Sequence, residues 1–314
     1  MAIIGSDITT AVQILNKGEL VAIPTETVYG LAGNALNENA VAEIFKVKNR
    51  PTFDPLIVHV SSPDQLQLYA AEIPAAAQKL VDAFWPGPLT ILLKRKPEIP
   101  DLVTSGLDRA GFRCPDHPLT LSLLRSLSFP VAAPSANPFG YISPTTAEHV
   151  DQQLGKSIDY ILNGGPCAVG VESTIIGFEE DGPVVYRLGG ISLEQIEQKI
   201  GKVRIQVNSG SQPAAPGQLT SHYAPKKKLV VGDVRKLMVQ HQSEKFGILS
   251  FNHDYGISAQ RILSPSGDLS EAARNLFRYM RELDQEDITI ILSEEVPHEG
   301  LGLAINDRLK RASA

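Results

Sequence analysis

The chain has 314 residues, 43% of them hydrophobic and 20% charged, with a formal net charge of −6. That composition fits a soluble globular protein with room for two domains, and its acidic balance excludes broad, sequence-independent binding to nucleic acid, which relies on many Lys and Arg contacts to phosphate. Only Cys114 and Cys167 are present, without CxxC or Cys/His ligand spacing, which excludes a disulfide scaffold and a structural zinc site and predicts two buried thiols.

The opening MAIIGSDITT lacks the basic and apolar regions of a signal peptide, and no window reaches the roughly 18 apolar residues of a membrane span, so a cytoplasmic location is expected. Ile8, Ala11, Val12 and Leu15 have helical spacing, with Asp7 as cap and Gly18 as stop, and LVAIP at 20–24 reads as the strand that follows. Val41, Ile44, Phe45 and Lys48 form a second amphipathic stretch before a strand, LIVHV, at 56–60. Further strands are predicted at 89–94, 130–134, 158–162, 173–178 and 184–188, with helical patterns between many of them. Pro144 after Ser143 reads as a helix opening, and Ser192 with Gln195 as a capping box.

From 206 to 228 the text becomes QVNSGSQPAAPGQLTSHYAPKKK, rich in Ser, Gly, Pro and Gln, which predicts a linker. Beyond it, strands at 229–232, 246–250, 260–264 and 288–293 alternate with a helix at about 269–283, capped by Asp268 with Glu271, and a last helix at about 303–312. The pattern predicts an α/β domain over 1–205, the linker over 206–228 and a small three-layer α/β domain over 229–314.

Lys48 and Arg50 stand two apart where the helix must end before Pro51, so their heads can converge on one anion. Complementing the negative end of the helix is the plainer reading of the same pair. His59, in the middle of an apolar strand, suits either a core position or a ligand. PTETVYGLAG at 24–33 places Thr25, Thr27 and Tyr29 after a strand end, where an open α/β sheet receives polar ligands, but it is neither GxxxxGK[ST] nor GxGxxG. In SGLDRAGFRCPDHP at 105–118, Arg109 and Arg113 precede Asp116 and His117, and an arginine in a half-buried strand needs an anionic partner, whether a ligand or an internal acid such as Asp116. APSANPFGYISPTT at 133–146 supplies Ser135, Asn137 and Ser143, GVEST at 170–174 is a polar interruption before an apolar strand, and Arg187 lies in YRLGG. No serine sits in GxSxG and no cysteine-protease motif surrounds Cys114, so a nucleophilic hydrolase is disfavoured. An inventory of Lys, Arg, Ser, Thr and Asn suits gripping anions and orienting polar groups.

Taken in order, KNRP (48–51), PLIVHV (55–60), APSAN (133–137), GVESTII (170–176) and YRLG (186–189) resemble the YrdC/Sua5 family, and SHYAPK (221–226) with EGLGLAINDRLKRA (299–312) resembles its long, two-domain Sua5 form. The resemblance implies an open twisted-sheet domain with a large concave cavity and a Rossmann-like C-terminal domain. It also implies synthesis of threonylcarbamoyladenylate and pyrophosphate from L-threonine, bicarbonate and ATP. Other proteins then transfer the threonylcarbamoyl group to adenosine 37 of tRNAs reading ANN codons. Carried over by motif, Thr27, His59, Arg113, Ala133 and Ser173 would hold threonine. Lys48, Arg50, Asp54, Arg109, Ser135, Asn137, Ser143, Arg187 and Tyr223 would face ATP, with Lys48 and Arg50 acting in catalysis. Mg²⁺ would arrive on the ATP phosphates, and no resident metal is expected. Two positions depart from the family pattern: Asp54 stands where many relatives have Asn, and Arg109 where they often have a small hydroxyl residue. An RNA-binding module of the same fold is disfavoured by the acidic balance, since the only compact basic run is 226–228, and carbamoyl-transfer relatives of hydrogenase maturation carry acylphosphatase and zinc-finger segments that this chain lacks.

Overall fold

The structure is a computed structural model and describes residues 1–207, 215–219 and 222–314, so the predicted linker lies partly outside the described residues. Successive side chains of a strand point to opposite faces, and here both faces are covered. In the strand Val21–Ile23, Val21 and Ile23 pack with Ala11 and Leu15 of the helix Ile8–Asn16 and with Leu123 and Leu124 of the helix Pro118–Arg125. Leu20 and Ala22 pack instead with Val41 and Ile44 of the helix Glu38–Lys48. Strands carrying such alternation join into a mixed eleven-stranded sheet. Within it Ile57–His59 runs parallel to Arg109–Arg113 and antiparallel to Val131–Ala132, in a register that sets His59 opposite Arg113.

The C-terminal part has its own sheet of four parallel strands, in the order Lys228–Val231, Ile290–Ser293, Phe246–Ser250 and Gln260–Ile262. The helix Val234–Gln240 covers one face; Leu269–Gln285 and Gly302–Ala312 cover the other. This is the α/β arrangement that the alternating pattern predicts, and both cysteines are buried.

Local chemistry accounts for most helix ends. Asp7 accepts from the backbone N–H groups of Thr9 and Thr10, and Ser192 with Gln195 forms the complete capping box. Two expectations are corrected. Asp268 accepts from the Glu271 N–H at 2.6 Å, but the Glu271 carboxylate turns to the Ser264 hydroxyl, so that box is only half made. Ser143 opens no helix: the helix Ala147–Leu154 is capped by Thr146, and the Ser143 hydroxyl donates to Glu172 at 2.5 Å. The strand Gly30–Asn34 escapes sequence reading because its two glycines weaken the strand signal. At Gly33 a Cβ would meet Leu20 Cδ2 at 2.8 Å, so the close approach of the neighbouring strand requires the missing side chain.

The two sheets are joined through an apolar cluster in which Val28, Ile142 and Val171 meet Tyr223, Leu276, Phe277 and Leu309. Polar contacts flank it: Arg281 donates to the carbonyls of Ile142 and Ser143, and the Tyr141 hydroxyl donates to Asp284 at 2.6 Å. Gly170, at φ +81°, lies so near the helix Leu269–Gln285 that a Cβ would stand 2.4 Å from Arg274 Cα.

Candidate active site

Period two also builds the site. Val58, Ile91, Phe112, Ile176 and Val185 point into the main core, whereas Ile57, Leu92, Ile175, Val184 and Tyr186 face the other way. His59 and Arg113 share that second face by parity. There a hollow of about 580 Å³, its mouth included, is bounded by Thr27, His59, Arg113, Ala133, Ser135 and Arg50, and closed by Arg187, Glu172, Pro216, Gly217, His222 and Tyr223.

At one end Arg113, 4% exposed, lies 2.6 Å from the Glu26 carboxylate and donates through Nε to the Gly87 carbonyl at 3.3 Å. Its internal partner is therefore Glu26, not Asp116. His59 Nδ1 is 3.2 Å from the Ile57 carbonyl, which can only accept, so Nδ1 carries the proton and Nε2 is left as an acceptor. Burial, and then the neighbouring Arg113 charge, push the imidazole down to about 3, which keeps it neutral. Thr25 locks the turn beside them: its hydroxyl donates to the Val28 carbonyl at 2.6 Å and lies 2.8 Å from the Thr27 hydroxyl. With the Thr25 proton so used, the Thr27 hydroxyl donates to Thr25 and keeps its lone pairs for the cavity. Ser173 sits one layer behind, its hydroxyl accepting from Arg187 Nη2 at 2.9 Å and lying 2.7 Å from Thr90. Ala133 is part of the lining, and its N–H already donates to Ile57.

At the other end the helix Glu38–Lys48 stops at Asn49, in the left-handed conformation, and presents Lys48 and Arg50 inward. Lys48 Nζ donates to the carbonyls of Ser135 and Asn137. Arg50 lies 2.9 Å from the Asp54 carboxylate and donates to the carbonyls of Asp54 and Pro55. Burial, followed by the Arg50 charge, drives the Lys48 ammonium well below its usual range, and burial raises the Asp54 carboxyl although Arg50, Lys48 and Arg187 oppose it. Asn137 spends its amide on the carbonyls of Pro138 and Tyr141, so it shapes the turn and offers the cavity Lys48 through its backbone. Arg187 donates to the Ser173 carbonyl and hydroxyl. Among the described residues neither Lys48 nor Arg187 has a carboxylate within 4.0 Å, whereas Arg50 and Arg113 do. Arg187 lines the cavity with no carboxylate that close and makes this wall an anion receptor, because burial of an unpaired charge is costly until an anion completes it; Lys48 stands behind the lining, held by the Ser135 and Asn137 carbonyls.

Arg109 is not brought to this site. It shares a face with Arg113, but four residues of strand place it about 13 Å away, where it pairs with Glu179 at 2.5 Å. Tyr223, by contrast, reaches the cavity wall from within the linker, at φ +64°, with its ring 4.2 Å from His222 and stacked on Phe277 at 5.5 Å. Sequence reading missed Glu26, Glu172, His222 and Arg308. All four lie inside quoted stretches, Glu26 in PTETVYGLAG, Glu172 in GVEST, His222 in SHYAPK and Arg308 in EGLGLAINDRLKRA, and that position is the signal that could have drawn attention to them.

A family model for Sua5, YciO and YrdC, described as telomere recombination, matches residues 13–189, and one described as threonylcarbamoyl-AMP synthase, C-terminal domain, matches 191–314. Threonylcarbamoyl-AMP synthases of Pyrococcus abyssi and Bacillus subtilis are 41% and 39% identical, over 98% of this chain and 94% and 92% of theirs. The crystal structure of P. abyssi Sua5 complexed with L-threonine superposes with a TM-score of 0.94 at 40% identity, covering 100% of this chain and 97% of that one. Escherichia coli YciO covers 60% of this chain with a TM-score of 0.54 at 26% identity. The motifs, the cavity they line and both matched domains place this chain in the Sua5/YciO/YrdC family, among its members that carry the Sua5 C-terminal domain.

Proposed function

We propose that this chain is a threonylcarbamoyl-AMP synthase, which makes threonylcarbamoyladenylate and pyrophosphate from L-threonine, bicarbonate and ATP. Its product serves the threonylcarbamoyl modification of adenosine 37 in tRNAs reading ANN codons, through separate transfer proteins, in the cytoplasm. Two kinds of support coincide: relatives of that name align over nearly the whole chain, and the cavity is lined at one side by Arg113 and at another by Arg187, which has no carboxylate within 4.0 Å among the described residues. The second observation carries the reading, since triphosphate supplies the missing negative charge.

In this reading Arg113 takes the threonine carboxylate, while Thr27 and neutral His59 orient the amine and hydroxyl, with Ser173 and Ala133 supporting them. The threonine amine attacks CO₂, formed from bicarbonate with loss of hydroxide as water, and gives up a proton to become a carbamate. A carbamate oxygen then bonds to the α-phosphorus as the bond to the bridging oxygen breaks and pyrophosphate departs. Lys48, Arg50 and Arg187 stabilise the negative charge spread over the phosphates, by position and electrostatics. Ser135 and Tyr223 line the nucleotide side, and Asn137, Ser143 and Asp54 support it from behind through their internal partners. Mg²⁺ enters on the phosphates; among the described residues no group of three His, Cys, Asp or Glu side chains forms a cage for it.

We further propose that 206–228 closes the cavity between a catalytic domain at 1–205 and the domain at 229–314, as a lid. Pro216, Gly217, His222 and Tyr223 in the wall support this. The test of the reaction is incubation with threonine, bicarbonate and ATP, followed by detection of pyrophosphate and the adenylate. Pyrophosphate release that ignores threonine would refute the assignment.

A further inference from the structure

Arg308 belongs to no cavity motif, yet it is wholly buried against the cavity wall. It sits on the helix Gly302–Ala312, and three contacts hold it. Nε donates to Glu172 at 3.0 Å, Nη1 donates to Asp307 at 2.9 Å, and the guanidinium lies 5.2 Å from the centre of the Tyr223 ring. Glu172 takes the Ser143 hydroxyl on its other oxygen, so both of its oxygens are engaged. Glu172 and Tyr223 line the cavity beside Arg187, and Arg308 stands behind them.

A bare carboxylate in the wall of a nucleotide cavity would repel triphosphate strongly, because few solvent dipoles remain there to screen it. Arg308 cancels that charge. The same guanidinium also packs on a tyrosine whose backbone is left-handed, a conformation that a non-glycine residue keeps only when its surroundings hold it. A buried ion pair is weak evidence for stability alone, since apolar residues of similar volume usually serve as well.

Resting on the reaction proposed above, we propose that Arg308 is a positioning residue for ATP. By neutralising Glu172 and bracing Tyr223, it lets the last helix of the chain set the charge and shape of the wall that the triphosphate meets.

The experiment uses the full chain and reads ATP affinity by calorimetry without threonine or bicarbonate, then threonine affinity separately. Arg308→Met keeps the packing volume but uncovers Glu172, and is expected to weaken ATP by at least about tenfold while threonine binding stays within about twofold. Adding Glu172→Gln to that variant removes the uncovered charge and is expected to recover most of the loss. Unchanged ATP affinity in Arg308→Met overturns the proposal, as does a loss that Glu172→Gln does not recover or that threonine shares equally. If Arg308→Met does not fold, Arg308→Lys carries the test: it keeps the charge and is expected to bind ATP within about threefold of the parent, and a loss beyond about tenfold overturns the proposal. A parent protein that binds ATP but makes no adenylate refutes the proposed reaction, while the affinity comparison still decides the role of Arg308.

Discussion

Arg113 and Glu26 form an almost fully buried ion pair, 2.6 Å apart, one strand away from His59. The acid neutralises the guanidinium in the empty cavity and fixes where its fork points. Arg113→Lys keeps the charge but loses the planar fork, so the KM for threonine is expected to rise about 10- to 100-fold, with that for ATP nearly unchanged. Steady-state pyrophosphate release with each substrate varied in turn checks this. An equal rise in both constants would mean that the pair supports the cavity as a whole.

Lys48 caps two carbonyls, those of Ser135 and Asn137, from a position only 1% exposed. Lys48→Met leaves both acceptors buried without a donor, each costing roughly 1–3 kcal/mol. It also removes a cation from the phosphate end, so turnover is expected to fall at least about 100-fold. Urea unfolding and single-turnover adenylate formation separate the two effects. Wild-type turnover in the folded variant would remove Lys48 from catalysis.

His59 is held at about 3, and burial lowers His222 as well, its cationic neighbours adding to the effect. Below the unfolded value of about 6.5 the unfolded chain binds protons that the folded chain refuses. Stability from these groups is therefore present above pH 6.5 and lost as pH falls toward their folded values, at up to about 1.4 kcal/mol per pH unit for each. Unfolding free energies between pH 6.5 and 4.5 should show this slope, and His59→Asn should reduce it. An identical slope in that variant contradicts the assignment.

Deletion of 206–314 takes Pro216, Gly217, His222 and Tyr223 out of the wall and also bares Val28, Ile142 and Val171. Synthesis is expected to fall by at least about 100-fold, with the remaining domain folded but adherent through its exposed apolar patch. Gly170→Ala is the gentler counterpart, since its Cβ would collide with the helix at Arg274 and loosen the same junction. Circular dichroism, sedimentation and pyrophosphate release together check both. Full activity in the folded truncation would rule out the lid.

Local pattern made much of this fold legible. The alternation of Val21 with Ala22, the Asp7 cap and the Ser192–Gln195 box all act within a few residues and leave a local signature. The cationic pair at 48 and 50 was legible for the same reason. What stayed hidden depends on distant partners: Glu172 meets Arg308 136 positions away, and nothing near either residue announces the other. Arg109 was carried over by motif at a position where this chain departs from the family, and its guanidinium pairs with Glu179 away from the cavity. Ser143 looked like a cap because its proline neighbour suits a helix start, but its hydroxyl found a carboxylate instead.

Arg311 donates through one guanidinium to the carbonyl of Val207 and to that of Leu219. One side chain thus staples two points of the main chain, and the span between them is tethered at both ends whatever its length. Loss of that side chain, as in Arg311→Ala, would free both points at once and with them the seat of Pro216 and Gly217 in the cavity wall.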